Sequence, residues 1–361
     1  MSHLMVVAAG TGGHVMPGLA VAEALRNRGW TVSWLGTRAG MERSLVEPRG
    51  IAFDAIDFSS LRGKGIGTLL LGGFLLLRAM WQSRKAIRTR RPAVVFSTGG
   101  YVAVPAGLAA AMESAPLALL NADAAPLLST RLLRSLASAV FCGFDGAAAK
   151  VAGERGLVTG NPVRAEIAAL PSPAQRFAGR EGPLKLLVIG GSLGSQVLNE
   201  VVPAALALLP AAGRPMVVHQ CGAAHAQATG AAYERAGVAA EVLTFVDDMA
   251  RRYGEADLVI CRAGAVTVTE LAAAGLPSLL VPLVVSTTSH QRSNAEFMAG
   301  QGAAIHLPQA ELTAARLAAV LREVTRERLL EVANKARSLG RREATLVVAD
   351  AIEHLAREAG R

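Results

Sequence analysis

Short apolar runs alternate with longer stretches of helical periodicity along almost the whole chain. In the first half the runs at 4–8, 31–35, 94–97, 117–120 and 139–142 read as strands, and helical sequence begins near Pro17, Met41, Thr68, Val104 and Ser129. The second half repeats the pattern, with strands at 184–189, 216–220, 240–243, 258–261 and 278–281 and amphipathic helix from Leu312 to the end. Alternation at this spacing predicts βαβ units and parallel sheets. Between the halves, Gly160-Asn161-Pro162 and Pro171-Ser172-Pro173 break regular structure, so 160–182 reads as a linker. The fold class expected is α/β, with two domains.

Each half opens on the same unit. Met5-Val6-Val7-Ala8-Ala9 runs into Gly10-Thr11-Gly12-Gly13-His14 and then a helix; Leu186-Leu187-Val188-Ile189 runs into Gly190-Gly191-Ser192-Leu193-Gly194-Ser195 and another helix. A glycine turn that opens a helix lets backbone N–H groups and the helix dipole approach an anion closely. Finding the unit twice, about 180 residues apart, points to two nucleotide-binding-type domains with a cleft between them. Such an arrangement suits a transferase that holds a donor and an acceptor. Neither turn spells GxGxxG with a following ribose-binding acid. The second strand ends Trp34-Leu35-Gly36-Thr37, which counts against a dinucleotide in the first half.

Composition narrows the classes. A chain of 361 residues supports two substantial cores, and 4% aromatic content fits α/β better than an all-β sandwich. Cys142, Cys221 and Cys261 are far apart and form no CxxC pair, so they read as small buried hydrophobes, with no metal site. No secretory signal leads the chain, which places the protein in the cytoplasm. The formal net charge is +9, and no acidic residue occurs between Asp57 and Glu113, a stretch holding Arg62, Lys64, Arg78, Arg84, Lys85, Arg88, Arg90 and Arg91. Scarce aromatics and the absence of any nucleic-acid module argue against RNA or DNA as partner. The segment Leu-Leu-Leu-Gly-Gly-Phe-Leu-Leu-Leu-Arg-Ala-Met-Trp at 69–81 is too interrupted to span a bilayer. It reads either as a buried helix with a solvated basic end or as an interfacial helix whose Leu, Phe and Trp enter the headgroup region. The lack of compensating acids favours the membrane surface.

Several residue groups carry candidate chemistry. His14, directly after the first glycines, is a general base or a neutral donor kept uncharged by the helix N-terminus, or else a structural histidine. Thr11 caps that helix or donates to a ligand oxygen. Arg262-Ala263-Gly264-Ala265-Val266-Thr267-Val268-Thr269-Glu270 follows a strand and opens a helix whose N-terminus would meet a phosphate. Glu270, about two turns in, would accept from vicinal ribose hydroxyls; otherwise it is an exposed helical glutamate. His290 and Gln291 follow a polar loop at 286–289 and suit sugar hydroxyls, with a solvated loop the plain alternative.

Taken in order, these pieces resemble one family: the transferases that add N-acetylglucosamine to undecaprenyl-pyrophosphoryl-N-acetylmuramoyl-pentapeptide in bacterial peptidoglycan precursor synthesis. Further markers are Leu61-Arg62-Gly63-Lys64-Gly65, Gly99-Gly100-Tyr101-Val102, Gly160-Asn161-Pro162-Val163-Arg164 and Phe245-Val246-Asp247-Asp248-Met249. The resemblance implies a GT-B fold of two Rossmann-like parallel-sheet domains. Residues 1–163 would form an acceptor- and membrane-binding domain, with a C-terminal helix at 341–361 packing back on it. Residues 164–340 would bind UDP-N-acetylglucosamine.

By the same resemblance Val246 would meet uracil, Ser192 phosphate, and Ala265, Val266, Thr267, Val268, Thr269 and Glu270 the phosphate and ribose. Gln291 and His290 would read the sugar, and Thr11, Gly12, Gly13, Asp123 and Arg164 would approach from the other domain. His14 would be the base of an inverting transfer, with Tyr101 on the acceptor side, and no metal or other cofactor would be needed. The partners implied are the lipid-linked monosaccharide acceptor (lipid I), the cytoplasmic face of the membrane through the 69–91 segment, and other cell-wall and division proteins.

One departure is plain. Where the family carries His-Glu-x-Asn, this chain has Leu120-Asn121-Ala122-Asp123, and a carboxylate at Asp123 would repel a diphosphate unless protonated or paired, for example with Arg164. The position of His290 commonly carries Gln. Two other readings stay open: a related enzyme (a GT-B transferase on another acceptor, or a UDP-sugar 2-epimerase), and a non-catalytic sugar-nucleotide-binding scaffold.

Overall fold

The structure, a computed structural model, describes residues 2–10, 12–59, 66–191, 193–283 and 290–360, without the side chains of 66–71. Thr11, Ser192, Arg62, Lys64, the marker at 61–65 and the polar loop at 286–289 therefore lie outside the described residues. The chain divides into two compact units, Met1–Arg164 with Arg342–Arg361, and Ala165–Arg341.

The first unit is a parallel sheet of β1 (His3–Ala8), β2 (Thr31–Thr37), β3 (Ala52–Ile56), β4 (Val94–Gly99), β5 (Leu117–Asn121), β6 (Ala139–Cys142) and β7 (Gly156–Val158). Its order is β3-β2-β1-β4-β5-β6-β7, so the chain winds outward in both directions from the β1–β4 pair. That reversal leaves a crevice at the carboxyl ends of β1 and β4. The connecting helices are α1 (Gly12–Asn27), α2 (Glu42–Val46), α3 (Ile66–Arg90), α4 (Ala103–Met112), α5 (Leu128–Leu133) and α6 (Ala147–Ala152). Met5, Val7, Leu35, Val95, Leu119 and Val140 fill one buried cluster with Ala106 and Ala109 of α4.

The structure starts α1 at Gly12, well before Pro17, so proline sits inside the helix. A proline near a helix start usually marks its first position; here its fixed φ suits the helix and one N–H is lost. His14 is thereby the third residue of the helix. Gly18 presses α1 onto the sheet: a Cβ there would lie 2.8 Å from the Trp34 ring and 2.9 Å from Val6.

The second unit is also parallel, with β8 (Lys185–Ile189), β9 (Met216–Gln220), β10 (Ala240–Leu243), β11 (Leu258–Cys261), β12 (Ser278–Leu280) and β13 (Ile305–His306) in the order β10-β9-β8-β11-β12-β13. Its switch point is the β8–β11 pair. The helices are α7 (Ala165–Ala168), α8 (Pro173–Phe177), α9 (Gln196–Ala207), α10 (Ala226–Ala236), α11 (Met249–Glu255), α12 (Ala265–Ala274), α13 (His290–Gly300), α14 (Ala314–Arg322) and α15 (Arg326–Leu339). Inside the unit, Asn199 of α9 donates to the Cys221 carbonyl (3.1 Å) and accepts from His219 Nε2 (3.0 Å). His219 Nδ1 meets the Tyr233 hydroxyl at 2.8 Å, and burial pulls this imidazole down to about 4. An amide oxygen only accepts, so the neutral ring carries its proton on Nε2 and takes the Tyr233 proton at Nδ1.

The expected linker is better ordered than its prolines suggested. Ser172 and Gln175 form a capping box at α8, and Arg176 donates to the carbonyls of Tyr253, Ala274 and Gly275. Cations at helix C-termini are favoured by the dipole, and here one arginine closes α12. The last helix, α16 (Ala344–Ala359), belongs to the first unit: the backbone N–H of Val163 donates to Thr345 Oγ1 (3.1 Å), which donates back to the Val163 carbonyl (2.9 Å). Arg28, in the turn after α1, pairs with Asp350 of α16 at 2.6 Å.

Among the described residues no helix is long and apolar enough to cross a membrane. On α3, Ala79, Ser83 and Ile87 face inward, whereas Phe74, Leu77 and Trp81 are 65%, 60% and 63% exposed. These three share one helical stripe, which continues into Lys85 and Arg88. The buried-helix alternative fails for this face. The charge argument also changes: Asp57 pairs with Arg38 and Arg78, Glu113 with Arg84 and Arg88, and Asp54 with Arg90. Acids just outside the acid-free stretch fold back onto it, and three carboxylates hold Arg78, Arg84, Arg88 and Arg90 in ion pairs.

Candidate active site

At the switch point of the first unit, two glycine-bearing turns meet. Gly10 (φ +112°) lies in the turn after β1, Gly99 (φ +108°) ends β4 and Gly100 (φ +80°) follows it. A Cβ on Gly99 would lie 2.9 Å from His14 Nδ1, and one on Gly100 would collide with the Ala9 carbonyl. The glycines are needed because the two turns and the imidazole are in contact. His14 Nδ1 lies 3.0 Å from the Thr98 carbonyl, and Thr98 Oγ1 donates to the His14 carbonyl at 2.6 Å. A carbonyl only accepts, so Nδ1 carries the proton of the neutral ring and the basic lone pair belongs to Nε2. A Cβ on Gly10 would touch both Tyr101 Cε1 (3.9 Å) and His14 Cδ2 (4.0 Å), so both rings flank one glycine. Gly12 and Gly13 form the first turn of α1 beside them.

Asp123 is half-buried in the turn after β5, the strand next to β4. Asn121 shapes that turn: its Nδ2 donates to the carbonyls of Asp123 (2.7 Å) and Ala125 (3.1 Å), and its Oδ1 accepts from the Leu127 N–H (2.8 Å) and Thr130 Oγ1 (2.9 Å). Asn161 Nδ2 donates to the Ala122 carbonyl (2.8 Å), which brings the segment ending in half-buried Arg164 against the same turn. Sequence reasoning gave Asn121 no role of its own, although an amide closing an apolar strand was a visible signal; its complete burial is seen only in the structure.

In the second unit the turn after β8 packs equally tightly. Gly190 has Ser195 N only 2.6 Å from its Cβ position, and a Cβ on Gly194 (φ +78°) would collide with the Cys221 carbonyl. Gln220 Nε2 donates to the Gly191 carbonyl (2.9 Å) and the Thr244 carbonyl (3.1 Å), joining this turn to the segment bearing Val246. Val246 is buried, and its neighbour Phe245 is 57% exposed.

Beyond β11, Gly264 is the N-cap of α12 and no side chain caps the helix. Its first N–H groups have no partner within the helix and carry the positive end of its dipole. Ala265, Val266 and Thr267 are half-buried, while Val268, Thr269 and Glu270 are buried. Glu270 is 4% exposed, which overturns the exposed-glutamate alternative. Thr269 Oγ1 donates to the Ala265 carbonyl (2.8 Å). Arg262 donates to the Val281 carbonyl (3.2 Å) and Gln309 Oε1 (2.8 Å), and burial holds its guanidinium below its ordinary value. His290 and Gln291 open α13, with Gln291 Oε1 accepting from the Leu283 N–H at 2.8 Å. Asn294 of the same helix donates to the Ala263 carbonyl (3.1 Å), tying α13 to the turn before α12. Among the described residues no three His, Cys, Asp or Glu side chains gather as a metal site would require.

Two doubly wound parallel sheets, each with a glycine-cornered switch point, make up the GT-B architecture of sugar-nucleotide glycosyltransferases. The chain belongs to glycosyltransferase family 28: the family's N-terminal domain matches residues 4–142 and its C-terminal domain residues 185–355. It is 56% identical over 363 residues to the UDP-N-acetylglucosamine–N-acetylmuramyl-(pentapeptide) pyrophosphoryl-undecaprenol N-acetylglucosamine transferase of Methylibium petroleiphilum, covering 99% of both chains. It is 56% identical over 357 residues to the enzyme of the same name from Chromobacterium violaceum, covering 98% of this chain and 99% of that one. The crystal structure of Acinetobacter baumannii MurG matches with a TM-score of 0.82 at 36% identity, over 98% of this chain and 100% of that one.

Proposed function

We infer that this protein transfers N-acetylglucosamine from UDP-N-acetylglucosamine to undecaprenyl-diphospho-N-acetylmuramoyl-pentapeptide, giving the lipid-linked disaccharide. The observation that carries the reading is identity at 56% along 99% of a transferase named for that reaction. Both switch points suit it. The second unit takes the donor: uracil on the backbone at Val246, the diphosphate at Ser192 and the uncapped start of α12, ribose hydroxyls on Glu270, and the sugar on Gln291 and His290. In the first unit, Thr11, Gly12, Gly13, Asp123 and Arg164 are the residues we assign to substrate binding.

In the transfer the acceptor's C4 hydroxyl oxygen forms a bond to the anomeric carbon as the bond from that carbon to the UDP oxygen breaks. His14 Nε2 takes the hydroxyl proton, and the electron pair leaves on UDP. Its Nδ1 proton is committed to the Thr98 carbonyl, which leaves Nε2 as the accepting nitrogen, and the α12 N–H groups and Arg donors meet the charge gathering on UDP. Tyr101 lines the acceptor side. The test is transfer of labelled N-acetylglucosamine to the lipid-linked monosaccharide. Disaccharide product is expected, and binding of UDP without any product would point to the scaffold reading.

The acceptor is lipid-borne, and the Phe74-Leu77-Trp81 stripe is the surface we assign to the cytoplasmic leaflet. Each large apolar side chain moved out of water contributes about 1.5–3 kcal/mol. Replacing Phe74, Leu77 and Trp81 together by serine is expected to weaken partitioning onto anionic vesicles by at least about a hundredfold. Unchanged sedimentation with the vesicles would remove α3 from the membrane contact.

A further inference from the structure

The crevice at β1 and β4 has a polar support that none of the roles above uses. Glu42, the first residue of α2, is fully buried in the first unit. Its Oε1 accepts from both the backbone N–H and the hydroxyl of Thr37, each at 2.7 Å, and its Oε2 accepts from the Gly10 N–H at 3.4 Å. The space for this carboxylate is built into the backbone. A Cβ on Gly40 would collide with both carboxylate oxygens, and one on Gly36 would lie 2.9 Å from Glu42 Cγ. The Thr37 hydroxyl also lies 3.1 Å from the Tyr101 hydroxyl. Tyr101 is itself packed 6.3 Å, centroid to centroid, from the Phe58 ring.

The direction of these bonds follows from counting protons. A carboxylate only accepts, so the single hydroxyl proton of Thr37 goes to Glu42. Thr37 Oγ1 is then an acceptor toward Tyr101, and the Tyr101 proton goes to Thr37. With its proton committed, the Tyr101 oxygen presents lone pairs to anything else it meets. We propose that Glu42 is a positioning residue for the acceptor substrate: through Thr37 it fixes the Tyr101 hydroxyl as a hydrogen-bond acceptor, and through the Gly10 N–H it holds the first glycine turn beside it. The group Tyr101 receives is therefore a donor, a hydroxyl or amide N–H of the acceptor sugar. This deepens the transfer reading and rests on it, since Tyr101 is placed on the acceptor side there.

The experiment is steady-state kinetics of the full-length protein with donor and acceptor varied separately. Thr37→Val keeps the side-chain shape, leaves the Tyr101 proton without its acceptor and is expected to lower kcat/KM for the acceptor by about tenfold, with the donor KM unchanged. Thr37→Ser restores near-normal values. Tyr101→Phe loses at least as much as Thr37→Val, and the double variant is no worse than Tyr101→Phe alone, because Thr37 acts through that hydroxyl. Glu42→Gln retains the volume but sets an amide N–H against a donor, and shows the same acceptor-specific loss. Should Glu42→Gln fail to fold, the Thr37 and Tyr101 variants decide the matter.

Additive losses in the double variant, equal changes in donor and acceptor KM, or wild-type behaviour of Thr37→Val would each overturn the proposal while wild-type turnover stays intact. A wild-type protein that gives no product would instead overturn the transfer reading, and the proposal with it.

Discussion

Replacing His14 by alanine is expected to lower turnover by about two to four orders of magnitude, the usual contribution of a positioned general base, with little change in UDP affinity. The size of the effect rests on how completely the imidazole is prepared. Its Nδ1 is held 3.0 Å from the Thr98 carbonyl, which directs the Nε2 lone pair outward from that contact, and Gly99 leaves room for the ring. Alanine removes the proposed base and leaves the second unit untouched, so UDP titration should match the wild type. The check is single-turnover kinetics beside a UDP binding isotherm. Turnover within about tenfold of wild type would assign the proton to another group.

The second large effect is expected at Glu270. Glu270→Gln should raise the donor KM by about ten- to a hundredfold and leave the acceptor KM unchanged. A hydrogen bond to a charged group contributes about 1.5–3 kcal/mol, and a carboxylate can accept from two vicinal hydroxyls where an amide offers one oxygen. Glutamine fills the same volume at a site only 4% exposed, so a thermal melt near that of wild type would show that packing survives. An unchanged donor KM would take the ribose away from α12.

Much of the fold was legible because unbroken apolar runs of four to six residues carry a buried parallel strand without help from the rest of the chain. The strands that escaped are the weak ones. β3 reads Ala-Phe-Asp-Ala-Ile at a partly exposed edge, β7 has three residues and β13 two, too few for any periodicity. Pro17 misled because a proline signals a helix start locally, whereas here Gly12 and Gly13 already form the first turn.

The geometry of the candidate site was legible where a residue lies next to a glycine turn, as with His14 and the start of α12. It was hidden where partners come from distant segments. Glu42 and Thr37 are five residues apart, but Tyr101 joins them across 64 residues. The burial of Glu270 and the pairing of Glu113 with Arg84 and Arg88 depend likewise on packing that no local pattern contains.

The most direct measurement is a structure of the protein with UDP-N-acetylglucosamine bound. Uridine beside Val246, its ribose on Glu270 and its diphosphate at the start of α12 is the predicted result. Uridine held by the first unit's glycine turn, or away from both turns, would contradict it.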